Sequence, residues 1–225
     1  MKRIAALYDV HGNLPALEAV LAEIEHEDVD AVVFGGDIAT GPFPNETLAL
    51  VRSLDARCLR GNADRRYTET PDAAWVWQQL SAEESAWLEG LPEHVELAGV
   101  LFCHATPRSD EEIVTAATTD ERLAEVLSGV DRELVVGGHT HMQLDRRVGR
   151  WRFVNAGSVG MPYEPEPGAY WAIVGDEVDF RRTDYDRKAA AAAIRKSSWP
   201  PAEEFAAENV LTVPSREDAI AVFGG

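Results

Sequence analysis

The chain has 225 residues, 45% of them hydrophobic, with a mean hydropathy of -0.22, a formal net charge of -18 at pH 7 and a pI near 4.6. That is enough for one substantial α/β domain with a buried core, and tight for two. So acidic a surface repels long polyanions, which excludes general binding to long nucleic acid or an anionic membrane; a small phosphorylated substrate is not excluded, because a bound cation dominates the field in its own site.

Residues 4–8 form a short apolar run, read as a buried strand. Asn13 can cap the helix that follows, with Pro15 in its first turn, and Leu14, Leu17, Val20, Leu21 and Ile24 recur at helical spacing. Residues 31–34 make a second strand, closed by Gly35-Gly36. This β-α-β opening implies parallel strands joined by a right-handed crossover. The next helix is expected over 45–54 and a third strand over 57–60. Residues 65–72 read as loop, and 75–80 and 82–88 as helices, with Ser81 as the cap between them. Two strands, 95–97 and 100–103, flank Ala98-Gly99, a two-residue hairpin pattern. A helix over 120–127 and a buried strand over 133–136 follow. The second half carries short strands at 144–147, 152–155, 169–174 and 178–182, then an alanine-rich helix over 184–196 that Trp199-Pro200-Pro201 stops. From 199 onward a tail of a short acidic helix, a loop and a last helix packs on the domain of residues 1–198 or on a neighbouring subunit; a homo-oligomer is compatible with it.

Cys58 and Cys103 are too few for a disulfide framework and read as small core residues. The first apolar run ends at Tyr8-Asp9, too short for a secretory h-region, and no apolar stretch approaches the roughly 20 residues that span a bilayer. The expectation is a soluble cytoplasmic protein with no membrane partner.

The chemistry gathers at strand ends. Asp9-Val10-His11, Gly36-Asp37, Gly61-Asn62-Ala63-Asp64, Cys103-His104 and Gly138-His139-Thr140-His141 each follow an apolar run. On extended backbone alternate residues point the same way, so Asp9 with His11, and His139 with His141, can reach one ion. Each pair alone is weak evidence; the set points to a metal centre. Mixed carboxylate, imidazole and amide ligands suit Mn²⁺, Fe, Zn²⁺ or Ni²⁺, and the lack of a cysteine ligand disfavours a closed structural zinc site. His26 and His94 stand outside these motifs and read as ordinary.

The ordered motifs D-x-H, G-D, G-N-x-D, H and G-H-x-H resemble the calcineurin-like metallophosphoesterase superfamily. The wording of Asp9-Val10-His11-Gly12-Asn13, of His104-Ala105-Thr106-Pro107 and of Asn155-Ala156-Gly157-Ser158-Val159-Gly160 is similar to its small bacterial phosphodiesterase branch, over residues 1–182. The resemblance implies an α/β fold, a four-layer αββα sandwich with two central mixed β-sheets. It implies two divalent transition-metal ions, Mn²⁺ first, with Fe, Zn²⁺ or Ni²⁺ as alternatives. Asp9, His11, Asp37 and His141 would hold one; Asp37 would bridge to the second, held also by Asn62, His104 and His139. The implied activity is hydrolysis of a small phosphodiester by a metal-bridging hydroxide, without a covalent enzyme intermediate. Asp37, Asn62, Asp64 and His104 form the implied catalytic set.

One position departs from the pattern. Many members have histidine after the asparagine of G-N-x-D, and here it is Ala63, which donates nothing. Loss of a general acid typically costs about 10²–10⁴ in rate. The change favours substrates with acidic leaving groups, or proton donation from a metal-bound water. Asp64 reads as a group that orients the site or as a loop cap; Asn13 as a substrate contact or a helix cap; Arg65, with Arg66, as a phosphate contact or a solvated loop. Arg146, Arg147, Arg150 and Arg152 read as an exposed hairpin face. The alternatives to a phosphodiesterase are a phosphomonoesterase or dinucleotide polyphosphate hydrolase, and a protein-binding scaffold of the same fold that has lost turnover.

Overall fold

Ten strands alternate apolar residues between two faces, and that alternation builds four layers. The computed structural model describes residues 2–67 and 69–223. Met1, Thr68 in the loop expected over 65–72, and Gly224 and Gly225 at the end of the expected tail lie outside the described residues. In chain order the elements are β1 (Ile4–Leu7), α1 (Leu14–Ile24), β2 (Ala31–Phe34), α2 (Pro44–Ser53), β3 (Arg57–Cys58), α3 (Pro71–Gln79), α4 (Ala82–Glu89), β4 (His94–Leu97), β5 (Val100–Cys103) and α5 (Asp120–Leu127). Then follow β6 (Leu134–Gly137), β7 (Gln143–Val148), β8 (Trp151–Ala156), β9 (Ala169–Val174), β10 (Val178–Thr183), α6 (Arg187–Ile194), α7 (Ala202–Phe205), a π-helical turn (Ala206–Leu211) and α8 (Arg216–Phe223).

The first sheet runs β10-β9-β1-β2-β3, the second β4-β5-β6-β8-β7. Both are mixed. β1, β2 and β3 are parallel, as are β5, β6 and β8, and antiparallel strands flank each trio. Between the sheets, Ile4, Ala6 and Tyr8 of the first meet Val100, Phe102, Val136 and Val154 of the second. The other face of β1, through Ala5 and Leu7, packs under Leu17, Val20 and Leu48 of α1 and α2. The outer face of the second sheet, through Leu101, Val135 and Phe153, is covered by Leu123, Val126 and Leu127 of α5. The αββα sandwich is therefore as expected.

Local chemistry explains where element bounds differ from the sequence reading. β3 stops at Cys58 rather than residue 60, because the Arg60 amide turns away to donate to Pro92 O (2.8 Å). α3 begins at Pro71, inside the expected loop; proline at the first helical turn has no N–H to leave unsatisfied. α6 is shorter than expected, starting only after Asp186, whose carboxylate accepts the Ala189 amide (2.9 Å). Ser81 and Glu84 form a reciprocal capping box on α4. Ala98 and Gly99, with φ of +51° and +85°, make the tight β4–β5 hairpin. Tail side chains meet earlier elements of the chain. Trp199, Phe205 and Val210 join Val76, Ala190 and Ile194 in one apolar cluster, and Arg216 pairs with the buried Glu164 carboxylate.

Candidate metal centre

Each candidate ligand lies just past the carboxyl end of a strand. Asp9 and His11 follow β1, Asp37 follows β2, Asn62 follows β3, His104 follows β5, and His139 and His141 follow β6. The loops are stitched together by backbone bonds: Asp9 N to Gly36 O (3.1 Å), His11 N to Asp37 O (2.8 Å) and Gly138 N to His104 O (2.6 Å). Two glycines allow the close approach. A Cβ on Gly61 would lie 2.2 Å from Asp37 Oδ1, and one on Gly138 would lie 2.5 Å from Asp9 Oδ2.

The backbone here is strained. Among the described non-glycine residues only six have positive φ, and five are candidate ligands: Asp9 (+53°), His11 (+46°), Asp37 (+52°), His139 (+68°) and His141 (+59°). The left-handed conformation costs a residue with a Cβ about 1–2 kcal/mol. Strain so concentrated marks a working site and is held in place by the surrounding structure.

Hydrogen bonds fix the imidazole tautomers. His104 Nδ1 faces Gly35 O (2.8 Å), His141 Nδ1 faces Met161 O (2.7 Å) and His11 Nδ1 faces Thr40 O (3.3 Å). A carbonyl only accepts, so each Nδ1 carries the hydrogen and each Nε2 offers a lone pair to the centre. His11 Nε2 and His141 Nε2 then meet at 3.2 Å. Two lone pairs at that distance repel unless a cation lies between them. Asp9 Oδ1, fully buried, has no hydrogen-bond partner, yet stands 3.4 Å from His141 Nε2 and 3.8 Å from His104 Nε2. His104 Nε2 is 3.4 Å from Asp37 Oδ2 and 3.0 Å from Asn62 Oδ1. Two donors each about 2.1 Å from one ion stand about 3.0–3.4 Å apart, so all of these spacings except the 3.8 Å one fit donors on one metal. Two three-residue groups can each grip one: Asp9, His11 and His141, and Asp9, Asp37 and His104.

The carboxylates are held ionised. Burial would raise Asp37, but His104, His11 and the Ala63 amide on Oδ1 (2.8 Å) hold it well below the usual range. Burial is likewise outweighed at Asp9, which His141 and His104 lower. Burial, then His141, lowers His11; burial, then His104, lowers His139. Both imidazoles are therefore held neutral.

The remaining candidates take different places. Asp37 Oδ2 lies 3.7 Å from His11 Nε2 as well as near His104, so it faces both groups, and Asp9 is shared between them too. His139 is less central. Its ring stacks edge-on at 5.2 Å against His104 and its amide donates to Asp9 Oδ2 (2.9 Å), but its ring nitrogens join neither three-residue group. Asp64 faces away from the centre; its oxygens accept the amides of Asp37 (2.7 Å), Ile38 (3.0 Å) and Gly61 (3.0 Å). It braces the Asp37 loop. Asn13 is fully buried. It caps α1 at Ala16 N (3.4 Å) and donates to Gly160 O (2.9 Å) and Tyr185 Oη (3.4 Å), which leaves its amide no surface for a substrate. Arg65 is exposed, paired with Asp110 (3.2 Å) and Glu111. It lines a cleft of about 550 Å³ beside Asn62 and Ala63.

Sequence reasoning missed the backbone carbonyls of Gly35, Thr40 and Met161 that orient the imidazoles, since a carbonyl carries no residue identity. It also missed Tyr163, whose ring lies 4.9 Å from that of His141. The Asn155-to-Gly160 motif was the one available clue to the support behind Asp9. Ser158 Oγ donates to Asp9 O (2.8 Å), and Asn155 braces Gly138 and Thr140.

The calcineurin-like phosphoesterase superfamily domain matches residues 1–176. The chain belongs to that superfamily. It is 28% identical over 236 residues to an uncharacterised protein of Methanocaldococcus jannaschii, covering 88% of this chain and 93% of the relative. Among solved structures, a metallophosphoesterase from Sphaerobacter thermophilus superposes with a TM-score of 0.77 at 29% identity, covering 91% of this chain and 97% of that one. A hypothetical protein from Pyrococcus horikoshii reaches 0.80 at 22% identity, over 92% and 97% of the two chains, and speaks for the fold alone. The donor set of this phosphoesterase fits divalent cations. Among its described residues no helix is long and apolar enough to cross a membrane.

Proposed function

We propose that this phosphoesterase hydrolyses a small phosphodiester at a dinuclear centre, with Mn²⁺ as the first candidate metal and Fe, Zn²⁺ or Ni²⁺ as alternatives. Asp9, His11 and His141 would hold one ion; Asp37, His104 and Asn62 the other, with both carboxylates shared and His139 at the rim. Bound there, divalent cations supply a water acidic enough to attack at neutral pH and neutralise charge on the phosphate oxygens. The water oxygen forms a new bond to phosphorus, one ester P–O bond breaks, and one water proton ends on the departing alcohol.

The observation that carries this reading is the facing pair of Nε2 atoms on His11 and His141 beside the partnerless Asp9 Oδ1. The chain's own residues set the geometry. Gly35, Thr40 and Met161 hold the imidazoles, and Asp64 holds the Asp37 loop. The cleft beside Ala63, where a larger side chain would intrude, gives a leaving arm room. Arg65 and Arg66 at its edge would meet anionic oxygens. Ala63 has no proton to give, which favours acidic leaving groups.

The test is hydrolysis of bis-p-nitrophenyl phosphate by the purified protein with added Mn²⁺, beside p-nitrophenyl phosphate and a dinucleotide polyphosphate. Faster turnover of the diester, lost in Asp37→Ala, supports the reading. Turnover of the monoester or the dinucleotide alone selects the corresponding alternative.

A further inference from the structure

The last helix reaches the metal centre through one short loop. α8 touches residues 161–164 from both of its ends: Arg216 of its first turn pairs with Glu164, and the ring of Phe223 in its last turn stands 6.2 Å from that of Tyr163. The Glu164 side chain is 1% exposed. Its Oε1 accepts the Gln143 amide (2.7 Å), its Oε2 accepts from Arg216 Nε, and Arg216 is the one cation paired with it among the described residues. A buried carboxylate that loses its cation is left uncompensated where water cannot solvate it. The pair therefore fixes where the loop sits.

That loop also holds His141. Met161 O accepts the Nδ1 hydrogen (2.7 Å), the Tyr163 amide donates to His141 O (3.1 Å), and the Tyr163 ring lies 4.9 Å from the imidazole. Gln143, whose amide Glu164 accepts, stands two residues beyond His141. Met161 itself packs against the apolar cluster of the tail. His104 and His11 are oriented instead by Gly35 O and Thr40 O, in loops of the first sheet. Of these three imidazoles, only His141 takes its brace from a loop that the tail grips with an ion pair.

We propose that Arg216 is a positioning residue: through Glu164 it fixes the loop that aims His141 Nε2, so the last helix sets the affinity of the Asp9–His11–His141 ion site far more than that of the Asp9–Asp37–His104 site. The proposal rests on the metal-binding reading of the centre and assigns Arg216 no contact with substrate or metal. An imidazole freed from its carbonyl partner loses both tautomer and direction, and partners of this kind typically change metal affinity about 10–100-fold. Arg216 stands one layer further out, so the lower end of that range applies. Because Arg216 acts through Glu164, the two form one unit whose substitutions do not add.

The experiment titrates the metal-free full chain with Mn²⁺ by calorimetry and assigns each site by manganese-edge anomalous diffraction from crystals soaked below saturation. In Arg216→Ala the Kd of one site should rise about tenfold while the other stays within about threefold, and the depleted peak should be the one at His141. Arg216→Lys, which keeps the cation, should restore most of the loss. Glu164→Gln combined with Arg216→Ala should bind no more weakly than the poorer single variant. Arg195→Ala cuts an exposed ion pair between the end of α6 and Glu203 of the tail (2.9 Å), and should leave both sites unchanged. A thermal melt checks the folding of each variant; should Arg216→Ala not fold, Glu164→Gln carries the comparison. Unchanged affinities in a folded variant, or equal weakening of both sites, overturn the proposal. If the wild type binds no Mn²⁺, the metal-binding reading fails, and nitrogen-15 NMR of the His141 imidazole decides the positioning separately. An Nδ1–H signal present in the wild type and in Arg195→Ala but lost in Arg216→Ala upholds it; a signal unmoved in Arg216→Ala overturns it.

Discussion

The two sheets contribute opposite chemistry to one centre. The first sheet brings both carboxylates and the amide, on the loops after β1, β2 and β3, with His11 its single imidazole. The second brings His104, His139 and His141 and no acidic ligand. The Asp9 carboxylate crosses the seam, with Oδ2 accepting the His139 amide and Oδ1 facing His104 and His141. Charge neutralisation of bound metals would thus belong to one sheet, and most of the neutral ligation to the other.

That division gives the largest expected effect. Asp37→Asn removes charge that the second sheet does not replace, so activity on bis-p-nitrophenyl phosphate should disappear and stay absent at millimolar Mn²⁺. His141→Ala keeps both carboxylates, so activity should fall but recover in part as Mn²⁺ is raised. Equal recovery in both variants, read from Mn²⁺ titrations, would erase the proposed contrast.

A second prediction concerns pH. Burial pulls His104 down, but Asp37 and Asp9 outweigh it and hold the imidazole up at about 10. In metal-stripped protein His104 therefore carries a second proton, on Nε2, near neutral pH, and an incoming cation must expel it to free the lone pair. Asp37 and Asp9 stay ionised in that window, because their values are lowered. Mn²⁺ affinity should rise with pH between 6 and 9, approaching about tenfold per unit for one released proton. A Kd flat across that range would contradict the pairing.

The positioning layer is expected to matter less. Asp64→Ala strips acceptors from three buried amides, at about 1–3 kcal/mol for each one that finds no water, and should lower metal affinity or activity about 10–100-fold. Burial and Asp37 push Asp64 up to about 7, against the Gly61 and Ile38 amides that favour its charged form. Ser158→Ala loses two bonds, one donated to the Asp9 carbonyl and one accepted from the Met161 amide, and a Tm lower by about 2–4 °C is the smallest effect anticipated. A Ser158→Ala enzyme as impaired as Asp37→Asn would place the support of Asp9 above the charge of the ligands.

Much of this candidate centre was legible in the sequence because the residues brought together are side chains at strand ends, where short apolar runs give way to Asp, His or Asn. The apolar runs also made both sheets readable, down to the Ala98-Gly99 hairpin. Three kinds of feature were not. The acceptors that set the tautomers are backbone carbonyls of Gly35, Thr40 and Met161, anonymous in a sequence. Asn13 reads equally as cap or contact until burial decides which atoms its amide meets. The tail's grip on the 161–164 loop depends on Arg216 meeting Glu164, a tertiary event that no local period encodes.

The most direct test is anomalous diffraction at the manganese edge from crystals grown with Mn²⁺. The account predicts two peaks per chain, one among Asp9, His11 and His141 and one among Asp9, Asp37 and His104. Active crystals whose map lacks density at both positions would contradict it.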